Sequence, residues 1–182
     1  MATEDQYVEK IKNFSWQTLG CLWRSIKERH TPGWENGKAF EYMVLQAFRL
    51  EGAEVRWPYR VRLNGTEIEQ IDGIIYIDGF ACLTECKDYD RNVNFEPISK
   101  IRSQLMRRPV ATIASIFSSS DFTEPAVTLA NFIQPQTILL WNGREVEYCI
   151  HRKAFSRSLI NKYRKCVEFG IHDYDVTIED EL

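Results

Sequence analysis

Between Gln70 and Lys87 the chain reads QIDGIIYIDGFACLTECK, and the two β-rich runs around Asp78-Gly79 constrain its folding more than any other stretch. An Asp-Gly pair between such runs is a strong short-range signal for a two-residue hairpin turn. With that turn at the tip, Ile77 faces Phe80 and the register of every further pair follows. Asp72 then lies opposite Glu85, and Gln70 opposite Lys87. Directly opposed residues share one face of a sheet. The register therefore predicts that Gln70, Asp72, Glu85 and Lys87 converge at the open end of the hairpin.

Two carboxylates opposed across a ladder repel each other, and a cation between them turns the repulsion into binding. Oxygen donors without cysteine or histidine suit Mg²⁺ or Mn²⁺ rather than Zn²⁺. Lys87, on the same face, would position a water or stabilise developing negative charge. Such an arrangement suits metal-assisted hydrolysis of a phosphodiester, in which the metal polarises the phosphate and generates the nucleophile. The plainer alternative is a salt-bridged hairpin end in which Lys87 only neutralises Glu85. A lone D…ExK pattern favours that alternative, so the rest of the chain must decide.

A chain of 182 residues with 44% apolar content supports one domain with its own core. No apolar run reaches membrane-spanning length. The N-terminus, MATEDQYVEKIKNF, is charged throughout and lacks a signal-peptide core, so cytoplasmic residence is expected. The five cysteines are an odd, scattered set without a CxxC pair and read as reduced small residues, mostly buried. The three histidines are equally dispersed, which argues against a zinc site. A net charge of −3 is not the global signature of a nucleic-acid binder, so local patches must supply any phosphate affinity.

Along the chain, Thr3 to Arg29 reads mainly as helix, in one or two pieces with Gly20 as a weak point, and Thr31-Pro32-Gly33 ends it. A second helix is expected from Trp34 to Leu50, closed by Gly52. Its apolar stripe is Phe40, Val44, Leu45 and Phe48, and Glu41 falls inside that stripe. An acid on a core-facing side is costly unless it is paired with a lysine or a metal, which singles out Glu41 over Glu51 and Glu54, read as solvated. Val55 to Leu63 alternates as a strand, with Pro58 marking an edge or bulge, and Asn64-Gly65 turns back. Pro97 to Arg108 reads as a helix with Ile98, Ile101 and Leu105 inward, Gln104 beside them, and a basic flank of Lys100, Arg102, Arg107 and Arg108. Ala111 to Phe117 reads as a buried strand, Glu124 to Ile133 as a helix and Thr137 to Trp141 as a strand. Asn142-Gly143 is expected to turn, Val146 to Ile150 to form a last strand, and Arg152 to Phe169 a basic helix before an acidic tail from Asp173. The strand–helix–strand alternation predicts an α/β sandwich with at least one parallel crossover.

Ser118, Ser119 and Ser120 read as caps near a helix start, with phosphate contact the lesser alternative, rather than nucleophiles, because no histidine follows at a persuasive place. The basic helix from Arg152 to Lys165 reads as a solvated face. Lys100, Arg107 and Arg108, on the helix directly after the ECK strand, are better placed to neutralise phosphates, each contact steepening the salt dependence by about one unit. Gln70 joins them as a candidate nucleic-acid contact.

Several segments in order resemble the PD-(D/E)xK nuclease superfamily, and within it the catalytic domain of Mrr-type restriction endonucleases. GKAFE (Gly37 to Glu41) is similar to the family's G-x-x-F-E helix, QIDG to its aspartate motif and ECK to its third motif. Gln104 resembles its helical glutamine. The run SIFSSSDFTEPAVTLANF followed by TILLWNG is similar to its strand, Ser/Thr-rich turn, helix and closing strand. Together these cover roughly Trp34 to Ile150. The resemblance implies a restriction-endonuclease-like three-layer sandwich, a central mixed β-sheet flanked by helices, spanning residues 34–170 between a helical extension (1–33) and an acidic tail (171–182). It also implies a Mg²⁺-dependent DNA endonuclease, with Mn²⁺ able to substitute, acting in restriction or defence against foreign DNA. On that reading Asp72 and Glu85 hold the metal with the backbone carbonyl of Cys86. Lys87 orients the attacking water, Glu41 supports a second metal or the lysine, and Gln104 contacts substrate or steadies the site. Double-strand cutting would call for a homodimer, and the N-terminal helices would serve dimerisation or docking of a protein partner. The competing expectations are an inactive nucleic-acid-binding module on the same scaffold, and a nuclease subunit or effector governed by a protein partner.

Overall fold

Asp78 (φ +46°) and Gly79 (φ +83°) both take the left-handed conformation that a two-residue hairpin turn requires, and the ladder runs from Ile77–Phe80 to Gly73–Thr84 as the register demands. A computed structural model of the protein describes residues 4–133 and 135–181. Thr3, at the expected start of the first helix, and Leu182, at the end of the acidic tail, lie outside the described residues. The elements are α1 (Glu4–Lys12), α2 (Trp16–Lys27), α3 (Lys38–Leu50), β1 (Glu54–Arg56), β2 (Tyr59–Leu63), β3 (Thr66–Ile71), β4 (Gly73–Ile77) and β5 (Phe80–Lys87). Then follow α4 (Glu96–Leu105), β6 (Thr112–Ser118), α5 (Glu124–Phe132), β7 (Ile138–Trp141), α6 (Gly143–Arg152), α7 (Phe155–Phe169) and a 3-10 segment, Val176–Glu181.

The hairpin β4–β5 lies inside a five-stranded mixed sheet of order β1-β4-β5-β6-β7. β1, β4 and β5 are antiparallel, whereas β5, β6 and β7 are parallel and are joined by crossovers through α4 and α5. Alternation along the strands divides the core in two. Ile75, Cys82, Ile113, Phe117, Leu139 and Trp141 face α1, α2, α3, α6 and α7. Ile74, Leu83, Ala114, Ile116, Ile138 and Leu140 face α4 and α5. The result is the three-layer α/β sandwich, a central mixed sheet with helices on both faces. Tyr7, Ile11, Leu19, Leu22, Trp23 and Ile26 of the first two helices belong to the same core as α3. Among the described residues no helix is long and apolar enough to cross a membrane.

Several expected elements differ. The strand from Val55 to Leu63 splits at Trp57-Pro58: Val55 pairs with Ile75 in the main sheet, while Tyr59 to Leu63 forms a separate ribbon with β3. Proline cannot donate to a ladder, so the strand can change partners there. The last expected strand is helix α6 instead. Asn142 accepts from the N–H groups of Arg144 and Glu145, and the Glu145 side chain returns a bond to Asn142 N–H, a complete capping box. The expected basic helix, Arg152 to Phe169, is α7, which starts at Phe155 after a break from α6; Glu51, read as solvated, accepts its first N–H groups from Phe155 and Ser156 at 2.8 and 2.7 Å. The N-terminal helices break at Asn13 to Ser15, where Ser15 caps α2, and not at Gly20. The second expected helix starts at Lys38 rather than Trp34.

Candidate active site

The start of β4 and the end of β5 meet at one end of the sheet, and α3 and α4 approach that end from opposite faces. Asp72 occupies the bend between β3 and β4, and its Oδ2 accepts the Cys86 N–H at 2.7 Å. The aspartate motif is thereby fastened to the backbone of the ECK motif. Glu85 points toward α4 with the Leu83 face of β5 and is fully buried. Lys87 Nζ donates to its Oε1 at 2.7 Å, and Lys100 Nζ donates to both oxygens at 2.9 Å. Two ammonium groups therefore share one buried carboxylate.

Glu41, in the first turn of α3, is buried. Its Oε2 accepts from Lys38 Nζ at 2.7 Å, and its Oε1 is buried without a hydrogen-bond partner. Gln104 sits one turn beyond Lys100 on the same side of α4. Its Nε2 donates to the carbonyl of Gln70 at 3.3 Å, which steadies the segment leading into Asp72, and its buried Oε1 has no partner.

The electrostatics follow from this packing. Burial, reinforced by the charge of Glu85, pushes Asp72 up to about 6 against the Cys86 N–H and the two lysines. Burial and the charge of Asp72 push Glu41 up to about 8 despite Lys38. Burial opposes the charge on Lys87, but the ion pair with Glu85, aided by Asp72, outweighs it and raises the lysine. The site thus holds two carboxyl groups raised by burial, Asp72 and Glu41, beside Lys87, which its ion pair keeps charged.

The structure brings Asp72, Glu85, Lys87, Lys100 and Gln104 together and sets Glu41 close enough for the charge of Asp72 to act on it. Gln70 is a correction. The ladder stops at Gly73–Thr84, the chain bends at Asp72, and β3 pairs with β2, so Gln70 faces Arg60 instead of Lys87. Its side chain is exposed and reaches Glu4 at 3.5 Å. Arg107 and Arg108 both pair with Glu69, the latter at 2.5 Å, so in this state their charge is directed at a carboxylate. The serines brace a different element from the one expected. Ser119 N–H donates to Lys87 O at 3.0 Å and its hydroxyl to Asp88 at 2.6 Å, while the Ser120 hydroxyl donates to Arg91 O at 2.7 Å. They hold the loop that follows β5 rather than capping α5. Lys38 was missed by sequence reasoning, although its i, i+3 spacing to Glu41 was available as a signal.

No curated protein matches the chain. Two solved structures are similar: a protein of unknown function, AF1548, at 19% identity and TM-score 0.49 over 72% of this chain and 77% of that one, and the DNA modification-dependent restriction endonuclease AspBHI, at 13% identity and TM-score 0.44 over 90% of this chain. The chain spans 41% of the length of the second. The model of the Mrr catalytic domain, described as a restriction endonuclease, matches residues 35–150, well over half of the chain. The protein therefore belongs to the restriction endonuclease family, with an Mrr-type catalytic domain.

Proposed function

We propose that the protein is a divalent-metal-dependent DNA endonuclease. The observation that carries this reading is the convergence of Asp72, Glu85 and Lys87 at one end of β4–β5, inside the family match. The donor set fits Mg²⁺ or Mn²⁺: hard carboxylate oxygens, a neighbouring peptide backbone at Cys86, and in Glu41 a buried oxygen with no partner. Among the described residues no three His, Cys, Asp or Glu side chains form a ready cage. A bound ion would take Asp72 and Glu85 together with backbone, water or phosphate oxygens, as Mg²⁺ commonly does. When bound, such an ion supplies polarisation of the phosphodiester and a more acidic water.

The chain's own residues supply the rest. Asp72, held by the Cys86 N–H, and Glu85, held by the sheet, present fixed oxygens. Lys87, charged and adjacent, orients the attacking water or donates to a phosphate oxygen. Gln104 keeps the approach to Asp72 in place, and Glu41 supports a second cation or Lys38. We assign the activity to restriction of foreign DNA, with a homodimer where both strands are cut.

Plasmid incubated with the protein in Mg²⁺ or Mn²⁺ should be nicked or linearised, and EDTA should abolish this. Asp72→Asn and Lys87→Ala should each lower the rate by about a hundredfold or more. If wild type and both variants leave plasmid equally intact with either metal, the endonuclease reading fails. Retained DNA binding in that case would identify an inactive binding module.

A further inference from the structure

We propose that Lys100 is a place-holding cation: it occupies Glu85 while the metal is absent, and it yields that carboxylate and turns to the DNA phosphate when the metal arrives. This rests on the reading that the site takes a divalent cation. Glu85 is fully buried, so its charge must be compensated in every state of the protein. Lys87 alone would do so, since its Nζ already lies 2.7 Å from Oε1. Lys100 adds a second ammonium that spans both oxygens at 2.9 Å, leaving neither free to ligate.

The two lysines differ in their freedom to leave. Lys87 is anchored on a central strand and its side chain is 21% exposed. Lys100 projects from the solvent flank of α4 and its side chain is 48% exposed, a flexible stem with water beside its head. It can swing away without opening the core, because Ile98 and Ile101 on its helix hold the packing. Gln104, one turn on and tied to the Gln70 carbonyl, keeps the helix in register while the lysine moves. A released ammonium would emerge at the mouth of the site, where a phosphate would arrive. Metal loading and phosphate capture would then be one exchange.

Two measurements test this, one with a variant and one without. Lys100→Met keeps the stem and removes the competing charge. Titrated with Mn²⁺ and followed by the spectroscopic signal of the free ion, it should bind metal at least about tenfold more tightly than wild type. In Ca²⁺ it should bind uncut DNA several-fold more weakly than wild type, but equally well in EDTA, where Lys100 is already engaged. In wild type, the Lys100 amine should be acylated several-fold faster in Mn²⁺ than in EDTA, read by mass spectrometry. That arm holds even if the variant folds poorly.

Equal or weaker metal affinity in a folded variant, or an amine no more reactive with metal, overturns the place-holding role. An equal loss of DNA affinity with and without Ca²⁺ overturns the transfer to phosphate. If the wild type binds metal and cuts plasmid while these tests fail, only this inference falls. If neither protein binds metal and no plasmid is cut, the endonuclease reading falls with it.

Discussion

At the scale of single residues, the site is a problem of charge held in a dry place. Asp72 is pushed up to about 6 and Glu41 to about 8, so the metal-free folded protein holds those protons more tightly than the unfolded chain does. A group raised in the folded state stabilises fully below its unfolded value, and that contribution is lost as pH rises through the folded value. In EDTA the melting temperature should therefore fall between about pH 4 and about pH 8, through both groups. On the proposed function Mg²⁺ would bind the ionised carboxylates, so it should flatten the decline and bind more tightly as pH rises. Calorimetric melts of wild type, Asp72→Asn and Glu41→Gln measure this; a decline of the same size in all three would remove these residues as its source. Glu41 was legible as a candidate because an acid in an apolar stripe demands a partner. Gln70 was misplaced because turn arithmetic assumes an unbroken ladder, and nothing local announces the bend at Asp72.

At the scale of elements, two Asn-Gly pairs met different fates. Asn64-Gly65 takes the paired left-handed conformation of a hairpin turn, as expected. Asn142-Gly143 instead opens a helix, because Glu145 completes a capping box and Val146, Cys149 and Ile150 repeat at helical spacing. Gly143 is there for close approach: a Cβ would stand 2.6 Å from the Ser119 carbonyl oxygen, and its N–H donates to Ser120 O at 2.7 Å. The same serine turn supports Lys87 through its backbone carbonyl. Gly143→Ala should therefore destabilise the fold by about 1–3 kcal/mol and also lower plasmid cutting by disturbing the end of β5. Denaturant unfolding and cleavage rates check the two effects, and a variant with unchanged stability would refute the contact. The central strands were readable because the Asp-Gly turn and short apolar runs are local signals, whereas the alternating stretch Val55 to Leu63 split at Pro58. The α6 error shows that a short apolar run fits both periods until its cap is considered.

At the scale of the whole molecule, the last helices are tied to the sheet by one buried ion pair. Lys162 and Glu145 are fully buried and 2.7 Å apart; Lys162 also donates to Leu140 O and lies over the Trp141 ring, while Glu145 accepts from Asn142 N–H and Val176 N–H. One pair thus links β7, α6, α7 and the C-terminal 3-10 segment. Lys162→Met leaves a buried charge unpaired and should cost about 3–5 kcal/mol, with part of the loss recovered in the double variant carrying Glu145→Gln; equilibrium unfolding of the single and double variants measures it, and a loss under about 1 kcal/mol would deny the pair its role. Neither residue stood out in the sequence, because seventeen positions of chain separate them and only packing brings them together. The sequence by itself determined the Asp78-Gly79 hairpin, the alternation of strand and crossover helix from Phe80 to Trp141, and the candidacy of Asp72, Glu85 and Lys87, since turn chemistry and side-chain periodicity act over a few residues. Only the tertiary structure decided that β3 pairs with β2 outside the main sheet, that Lys100 joins Lys87 on Glu85, and that Lys38 attends Glu41. Those outcomes depend on which distant groups compete for the same buried carboxylate, a competition that exists only once the layers have closed.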